Sequence, residues 1–280
     1  MTALDLPLAV ETHGPPAGRD QETFVLLHGY GGSSFSWRYW ATPLSRRGNV
    51  TLVDMKGFGS APKPDDDAYG PKDQAELVHR LVVQRDLRNV TLVGHSLGGG
   101  VALILAESLL AETPSRLARL VLVAGAAYRQ RFPPFVALAH HPRLASLFLR
   151  LLGTRRVVKR VLRDIVHDPD RVTSSQIEGY AHPMSAPAAR RALIRSALQI
   201  LPPDLDEIAA RYPSIDVPTL LLWGRDDHVV PLWVAERLAD ALPHTRLAVL
   251  EECGHLPAEE RPEESFAILE RFLDETEGRA

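Results

Sequence analysis

The segment 94–98 (GHSLG) constrains the fold of this 280-residue chain more than any other feature. It places Ser96 between two glycines, after a short β-rich apolar run (90–93) and before a longer helical pattern (97–110). A serine on a sharp turn from strand to helix has strained backbone geometry, and small residues two positions either side let the chain close. The turn lifts the hydroxyl clear of the sheet, and the helix N-terminus favours developing negative charge. The motif therefore predicts a nucleophilic serine.

Short β-rich runs alternate with longer helical patterns over most of the chain. Such alternation is typical of a mostly parallel sheet covered by helices, because parallel strands need long crossover connections. We therefore predict an α/β fold with a mostly parallel sheet flanked by helices. The predicted strands are 23–27, 49–53, 90–93, 120–123, 219–223 and 246–250, and the clearest helices are 97–110 and 263–274.

The alternation stops between residues 128 and 212, where β-rich runs are scarce and arginine and proline are frequent. A structureless loop of this length is uncommon inside a compact domain. We therefore predict a helical cap, 128–212, inserted into a core made of 1–127 and 213–280. Its apolar side chains are expected mainly to pack the cap helices and partly to line an apolar pocket: Phe132, Phe135, Leu144, Leu147, Phe148 and Leu151.

A serine hydroxyl is a weak nucleophile at neutral pH and needs a base within hydrogen-bond reach. Among the 11 histidines, His255 follows the last predicted strand and precedes the last predicted helix. His28 and His95 lie inside other motifs, where they are interpreted as shaping loops, and most of the others are interpreted as solvated. We therefore predict that His255 is the general base.

A carboxylate must then fix the imidazole tautomer and stabilise the imidazolium. The segment 222–231 (LWGRDDHVVP) supplies both Asp226 and Asp227. We choose Asp227, three residues beyond the glycine and four before the proline, and interpret Asp226 as a loop residue with local hydrogen bonds. The chain order serine, aspartate, histidine is the one expected for this architecture.

The transition state of acyl transfer also needs hydrogen-bond donors for its oxyanion. One predicted donor is the backbone N–H of Leu97, directly after the nucleophile. The second is the backbone N–H of Tyr30 in the segment 28–32 (HGYGG), where glycines let the backbone approach a ligand closely. This loop has neither the G-x-G-x-x-G spacing nor the lysine of a phosphate-binding loop.

The net charge, the length of the apolar runs and the cysteine content restrict which binding partners and which cellular compartment are expected. A net charge of -3 gives no basic footprint for nucleic acid, so no nucleic-acid partner is expected. No apolar run is long enough to span a bilayer and no signal peptide is visible, so we expect a cytoplasmic protein without membrane insertion. The single cysteine, Cys253, fits a reducing compartment. No cluster has convincing metal-ligand spacing, and no metal or cofactor is predicted.

Together these motifs resemble the α/β-hydrolase superfamily, specifically its capped serine esterase and lipase-like members. The resemblance spans about 23–272, and the segments that carry it are 28–31, 54–59, 94–99, 224–231 and 254–255. It implies the α/β-hydrolase fold and a Ser96–His255–Asp227 triad. Epoxide hydrolases and haloalkane dehalogenases of this fold carry aspartate where this chain has Ser96, which argues against both activities.

The predicted function is hydrolysis of small-molecule carboxylic esters with an apolar portion, through an acyl-enzyme intermediate. One alternative is a hydrolase that cleaves carbon–carbon bonds of ring-fission diketones. The chain lacks the glycine-proline-glycine usual in that group, but Arg190 or Arg191 would suit an acidic substrate. The other alternative is a ligand receptor that retains the triad and works through cap movement and a partner protein.

Overall fold

A seven-stranded sheet forms the centre of the molecule. The computed structural model describes residues 6–18, 21–131, 133–137, 141 and 152–277. The strands are β1 (Ala9–His13), β2 (Thr23–Leu27), β3 (Asn49–Asp54), β4 (Val90–His95), β5 (Leu117–Val123), β6 (Thr219–Gly224) and β7 (Thr245–Leu250). They lie in the order β1-β3-β2-β4-β5-β6-β7; β1 pairs antiparallel with β3, and the other neighbours are parallel. Each of the six predicted strands lies within an observed one, and the predicted α/β fold is confirmed.

Helices cover both faces of this sheet. The described α-helices are Arg38–Leu44, Pro71–Gln84, Leu97–Glu112, Pro134–Ala137, Thr154–Ile165, Ser174–Met184, Pro187–Leu198, Leu205–Ala210, Trp233–Ala241, Pro257–Glu260 and Pro262–Glu275. Both predicted helices are present, each extended by one or two residues at its ends. Outside residues 128–212, the structure adds four α-helices that the sequence analysis did not assign: Arg38–Leu44, Pro71–Gln84, Trp233–Ala241 and Pro257–Glu260.

Side chains point alternately to the two faces of the sheet along each strand, and each face carries its own apolar core. In β2, Val25 and Leu27 face the core that includes helices Pro71–Gln84 and Leu97–Glu112, whereas Phe24 and Leu26 face the opposite one. This follows from the two-residue period of a strand, which sends successive side chains to opposite faces. Because both faces of the parallel strands are buried, these strands appear in the sequence as continuous apolar runs.

β1 is the one described strand that the sequence did not predict. Its residues (AVETH) are half-buried or exposed, so the apolar signal of the central strands is missing. It pairs with β3 from Ala9 opposite Asp54 to His13 opposite Val50. The formation of an edge strand of mixed polarity depends on pairing with its partner strand rather than on its own hydrophobic pattern.

A helical insertion separates β5 from β6, and it is called the β5–β6 insertion below. Its helices include Thr154–Ile165, Ser174–Met184 and Pro187–Leu198. Close packing attaches it to the rest of the chain: a Cβ atom added to Gly179 would lie 2.3 Å from the ring of Phe35. Within the described ranges, no helix combines the length and apolarity needed to cross a bilayer.

Candidate active site

Ser96 occupies a strained turn at the end of β4. Its φ and ψ angles are 52° and −117°, a conformation that side-chain-bearing residues rarely adopt. The turn is fixed on both sides, because its N–H donates to the carbonyl of Val123 and its carbonyl accepts from Gly99, Gly100 and Ala126. Such over-determined strain is characteristic of functional sites. The serine side chain is half-buried at the N-terminus of helix Leu97–Glu112.

The two glycines of the motif are required because neighbouring backbone atoms leave no room for a side chain at either position. A Cβ atom on Gly94 would lie 2.3 Å from the carbonyl oxygen of Gly98. One on Gly98 would lie 2.4 Å from the carbonyl oxygen of Leu27, at the end of β2. Real Cβ atoms do not approach backbone oxygens this closely. The spacing of the motif therefore reflects the packing of the helix start against two strand ends.

The predicted acid and base are hydrogen-bonded to each other. Nδ1 of His255 lies 2.8 Å from Oδ2 of Asp227, and both side chains are buried. The other carboxylate oxygen of Asp227 accepts from the N–H groups of Val229 and Val230, at 2.8 and 2.9 Å. These bonds fix the carboxylate, so it holds Nδ1 of the imidazole as the donor and directs Nε2 away from itself.

A second carboxylate, Glu260, shapes the loop that carries His255. It accepts from the N–H groups of Gly254 and Leu256, on either side of the histidine, at 3.0 and 2.9 Å. It also accepts from the N–H of His167 in the β5–β6 insertion, at 2.7 Å. The sequence analysis did not identify Glu260. A glutamate five residues after the candidate base, inside a short helix, was the available signal.

The segment 28–32 lies directly against the serine turn. A Cβ atom on Gly29 would lie 2.8 Å from Nδ1 of His95 and 3.1 Å from Cβ of Ser96. His28 orders this loop: its Nδ1 lies 2.8 Å from the carbonyl of Gly29, and its Nε2 accepts from the N–H of Met55. Burial lowers the pKa of His28, in agreement with a neutral ring that donates at Nδ1.

The two predicted oxyanion donors, the N–H groups of Tyr30 and Leu97, have no hydrogen-bond partner in the described ranges. Both residues line one cavity of about 580 Å³ together with Ser96 and His255. Unpaired N–H groups at such a position are suited to hold a developing negative charge. The structure thus brings four of the five predicted site residues to one cavity, and the fifth, Asp227, is buried behind His255.

Ser96 and His255 lie at the same cavity without a hydrogen bond between them. No hydrogen bond joins Oγ of Ser96 to the ring of His255, although both residues line the cavity and are fully described. The bond between a nucleophile and its base is often long and shortens in the reacting complex. Burial and the nearby His255 lower the pKa of His95 to about 3, so His95 is a neutral donor to the carbonyl of His255, 2.8 Å away.

The cavity wall is mainly apolar. Its apolar lining includes Ile104, Val136, Leu193, Ile194, Leu205 and Ile208. Arg190 also lines it, and this guanidinium makes no ion pair or hydrogen bond with the described part of the chain. Of the six apolar cap residues named from the sequence, only the backbone of Phe135 is described, and the other five lie outside the described residues: Phe132, Leu144, Leu147, Phe148 and Leu151. Among the residues described, no group of three or more His, Cys, Asp or Glu is arranged to hold a metal ion.

Comparison with known proteins identifies the family to which this chain belongs. Residues 24–268 match the model of the alpha/beta hydrolase family. The hydrolase YugF of Bacillus subtilis is 28% identical over 243 residues, which cover 87% of this chain and 86% of YugF. A 2-hydroxy-6-oxononadienedioate/2-hydroxy-6-oxononatrienedioate hydrolase of Paraburkholderia xenovorans is 26% identical over 272 residues, covering 94% and 91% of the two chains.

A solved esterase, EaEST from Exiguobacterium antarcticum, superposes with a TM-score of 0.74 at 26% identity. The match covers 95% of each chain. The family match spans more than half of this chain, and the sheet has the order described above. The chain therefore belongs to the alpha/beta hydrolase family, and it is a hydrolase.

Proposed function

We propose that this member of the alpha/beta hydrolase family is a serine hydrolase of carboxylic esters, with Ser96, His255 and Asp227 as its triad. The observation that carries the proposal is the hydrogen bond between His255 and Asp227 beside a strained serine, at the wall of one apolar cavity. A nucleophile, a base and a group that orients the base are the parts that acyl transfer through a serine needs.

Acylation begins when Nε2 of His255 takes the proton of the Ser96 hydroxyl. Oγ then forms a bond to the ester carbonyl carbon, and the carbonyl oxygen becomes an oxyanion held by the N–H groups of Tyr30 and Leu97. When this intermediate collapses, the carbon–oxygen bond to the leaving alcohol breaks. The departing oxygen takes the proton from His255, and the acyl group stays on Ser96.

Deacylation repeats these steps with water. Nε2 of His255 removes one proton from water as its oxygen attacks the acyl carbon. The second tetrahedral intermediate collapses, the bond to Oγ breaks, and His255 returns its proton to Ser96. Asp227 keeps its charge throughout, because its role is to stabilise the imidazolium and to fix its orientation.

We also propose that residues 128–212 form a cap that covers this cavity. Leu193, Ile194 and Leu205 of the β5–β6 insertion line the cavity, which supports the proposal. Their apolar surface favours substrates with an apolar acyl or alcohol part. The similarity to the esterase of Exiguobacterium antarcticum agrees with ester cleavage.

The test is hydrolysis of p-nitrophenyl esters from acetate to palmitate by the wild type and by Ser96→Ala. We expect rapid turnover that the variant loses, and the preferred chain length then measures the usable depth of the cavity. A burst of one p-nitrophenol per active site would report the acyl-enzyme. Well-folded wild type that leaves every ester intact would exclude ester hydrolysis as the function.

A second candidate, cleavage of a carbon–carbon bond in an acidic diketone, is favoured by Arg190. Arg190 lines the cavity and its guanidinium has no acidic partner in the described part of the chain, and a bound carboxylate would supply one. The relative from Paraburkholderia xenovorans is named for dioate substrates. Turnover of a 2-hydroxy-6-oxo-dienoate that Arg190→Gln impairs, with simple esters turned over poorly, would select this function instead.

A further inference from the structure

A buried carboxylate, Glu259, binds a polar side chain of the cavity wall, Tyr180. Only 3% of the Glu259 side chain is exposed. It accepts hydrogen bonds from Nη2 of Arg38 at 2.6 Å, from Nε2 of Gln176 at 2.9 Å and from the hydroxyl of Tyr180. These residues connect the start of helix Arg38–Leu44, the segment after His255 and the β5–β6 insertion. We call Glu259 and its three donors the Glu259 cluster.

The cluster determines to which partner the Tyr180 hydroxyl donates its hydrogen bond. A phenol has one proton, and Tyr180 gives it to Glu259, because a carboxylate paired with an arginine and an amide is an acceptor. Burial and the neighbouring Glu259 raise the pKa of Tyr180 well above its usual value, so the phenol keeps this proton. Toward any further partner, the oxygen of Tyr180 is therefore only an acceptor.

That further partner is Ser36, whose Oγ lies 3.0 Å from the oxygen of Tyr180. Ser36 must be the donor in this bond, so its one hydroxyl proton is already donated to Tyr180. Its hydroxyl has no other hydrogen bond in the described part of the chain, and its lone pairs remain free. The chain of bonds from Glu259 through Tyr180 thus leaves Ser36 Oγ as an acceptor without a proton to offer.

Ser36 is well placed to meet substrate. Ser36 and Tyr180 line the same cavity as Ser96 and His255. A Cβ atom on Gly32 would lie 3.1 Å from Oγ of Ser36, so this hydroxyl lies beside the loop that carries Tyr30. A substrate group at Ser36 would therefore lie beside the loop whose Tyr30 N–H is proposed to hold the substrate carbonyl.

We propose that Ser36 Oγ is an acceptor-only subsite that selects ester substrates with a hydrogen-bond donor, such as a hydroxyl, close to the scissile bond. A hydroxyl-bearing substrate donates to Ser36. A methoxy analogue offers only an oxygen acceptor, and it places two acceptors against each other without a proton between them. The inference rests on the proposed ester hydrolysis and names a substrate class within it.

The experiment uses matched substrates on both sides of the scissile bond. One set is p-nitrophenyl butanoate with hydrogen, hydroxyl or methoxy at carbon 2 or carbon 3. The other set is propyl, 3-hydroxypropyl and 3-methoxypropyl butanoate. The readout is the ratio of kcat/KM for the hydroxyl ester to that for the methoxy ester at each position. A ratio of this kind is insensitive to losses of active protein.

Three variants separate the roles of the side chains. Ser36→Ala removes the acceptor, so the hydroxyl preference of the wild type should fall about 5- to 10-fold at one position, the effect of one hydrogen bond. Tyr180→Phe frees the proton of Ser36, so the methoxy ester should gain relative to the hydroxyl ester. Ser34→Ala is the matched control, because no described hydrogen bond involves its hydroxyl, and its ratios should equal those of the wild type.

The outcomes are distinguishable. If esters are hydrolysed but the hydroxyl-to-methoxy ratio is the same in wild type and Ser36→Ala at every position, the acceptor subsite is wrong and ester hydrolysis stands. If Tyr180→Phe lowers both rates equally, Tyr180 acts only through folding, and the proposed proton order is wrong. If the wild type hydrolyses no ester, the proposed function itself fails.

Discussion

Nδ1 of His167 lies 2.7 Å from Oδ2 of Asp226, and this contact joins the β5–β6 insertion to the loop of Asp227. The two adjacent aspartates thus have different partners. Asp226 is 39% exposed and contacts a surface histidine, whereas the side chain of Asp227 is fully buried against His255. Only Asp227 is therefore expected to orient His255.

Asp227→Asn should lower kcat/KM for a p-nitrophenyl ester by about 10²- to 10⁴-fold, because an amide can stabilise the wrong tautomer of His255 and cannot stabilise its cation. Asp226→Asn should change the same quantity by less than about 3-fold, since exposed ion pairs contribute little. Steady-state kinetics on both purified variants would measure this. Equal losses in the two variants would contradict the assignment.

Gly98→Ala should destabilise the protein and abolish activity. Its new Cβ would lie 2.4 Å from the backbone carbonyl of Leu27, so either β2 or the start of helix Leu97–Glu112 must move. We expect a loss of about 1–3 kcal/mol in the free energy of unfolding, as for other overpacked sites. Gly18→Ala is the control, because its nearest neighbour would be a flexible glutamine side chain at 3.9 Å. Thermal denaturation of both variants tests the comparison.

The lowered pKa of His95 predicts how stability depends on pH. An unfolded histidine titrates near 6.5, whereas His95 in the folded chain titrates at about 3. Between these values the unfolded chain binds a proton that the folded chain does not. The free energy of unfolding should therefore fall as pH is lowered from about 6.5 toward 3, by up to about 1.4 kcal/mol per pH unit from this residue.

His95→Gln removes this titration. Urea unfolding of the wild type and of this variant at several pH values between 4.5 and 7.5 would show a flatter dependence in the variant. The buried His28, whose pKa is also lowered, should preserve part of the slope. Identical slopes in the two proteins would mean that the pKa of His95 is the same in the folded and the unfolded chain, contrary to its burial.

Cys253 should be inert in the folded protein. Its side chain is fully buried, and burial raises the pKa of the thiol, so little thiolate forms near neutral pH. A thiol-specific disulfide reagent at pH 8 should therefore detect the single cysteine only after the protein is unfolded in guanidinium. Rapid reaction of native protein that retains its structure would contradict this prediction.

Much of the fold followed from local patterns. The central strands were predictable because burial on both faces makes each one a continuous apolar run, as in 23–27 and 219–223. Four α-helices outside the predicted cap were not assigned, and the two longest, Pro71–Gln84 and Trp233–Ala241, each combine a buried face with polar positions. The edge strand Ala9–His13 was missed because it is held by pairing with β3 rather than by its own sequence.

The sequence by itself determined the serine turn, because a strand, two small residues and a helix start are local and require no distant contact. It also indicated His255 and Asp227 through their positions after strands. Only the tertiary structure decided that Glu260 also binds the N–H of His167 and that Glu259 orders the protons from Tyr180 to Ser36. These bonds join residues whose separation closes only when the insertion packs on the core, so no local pattern specifies them.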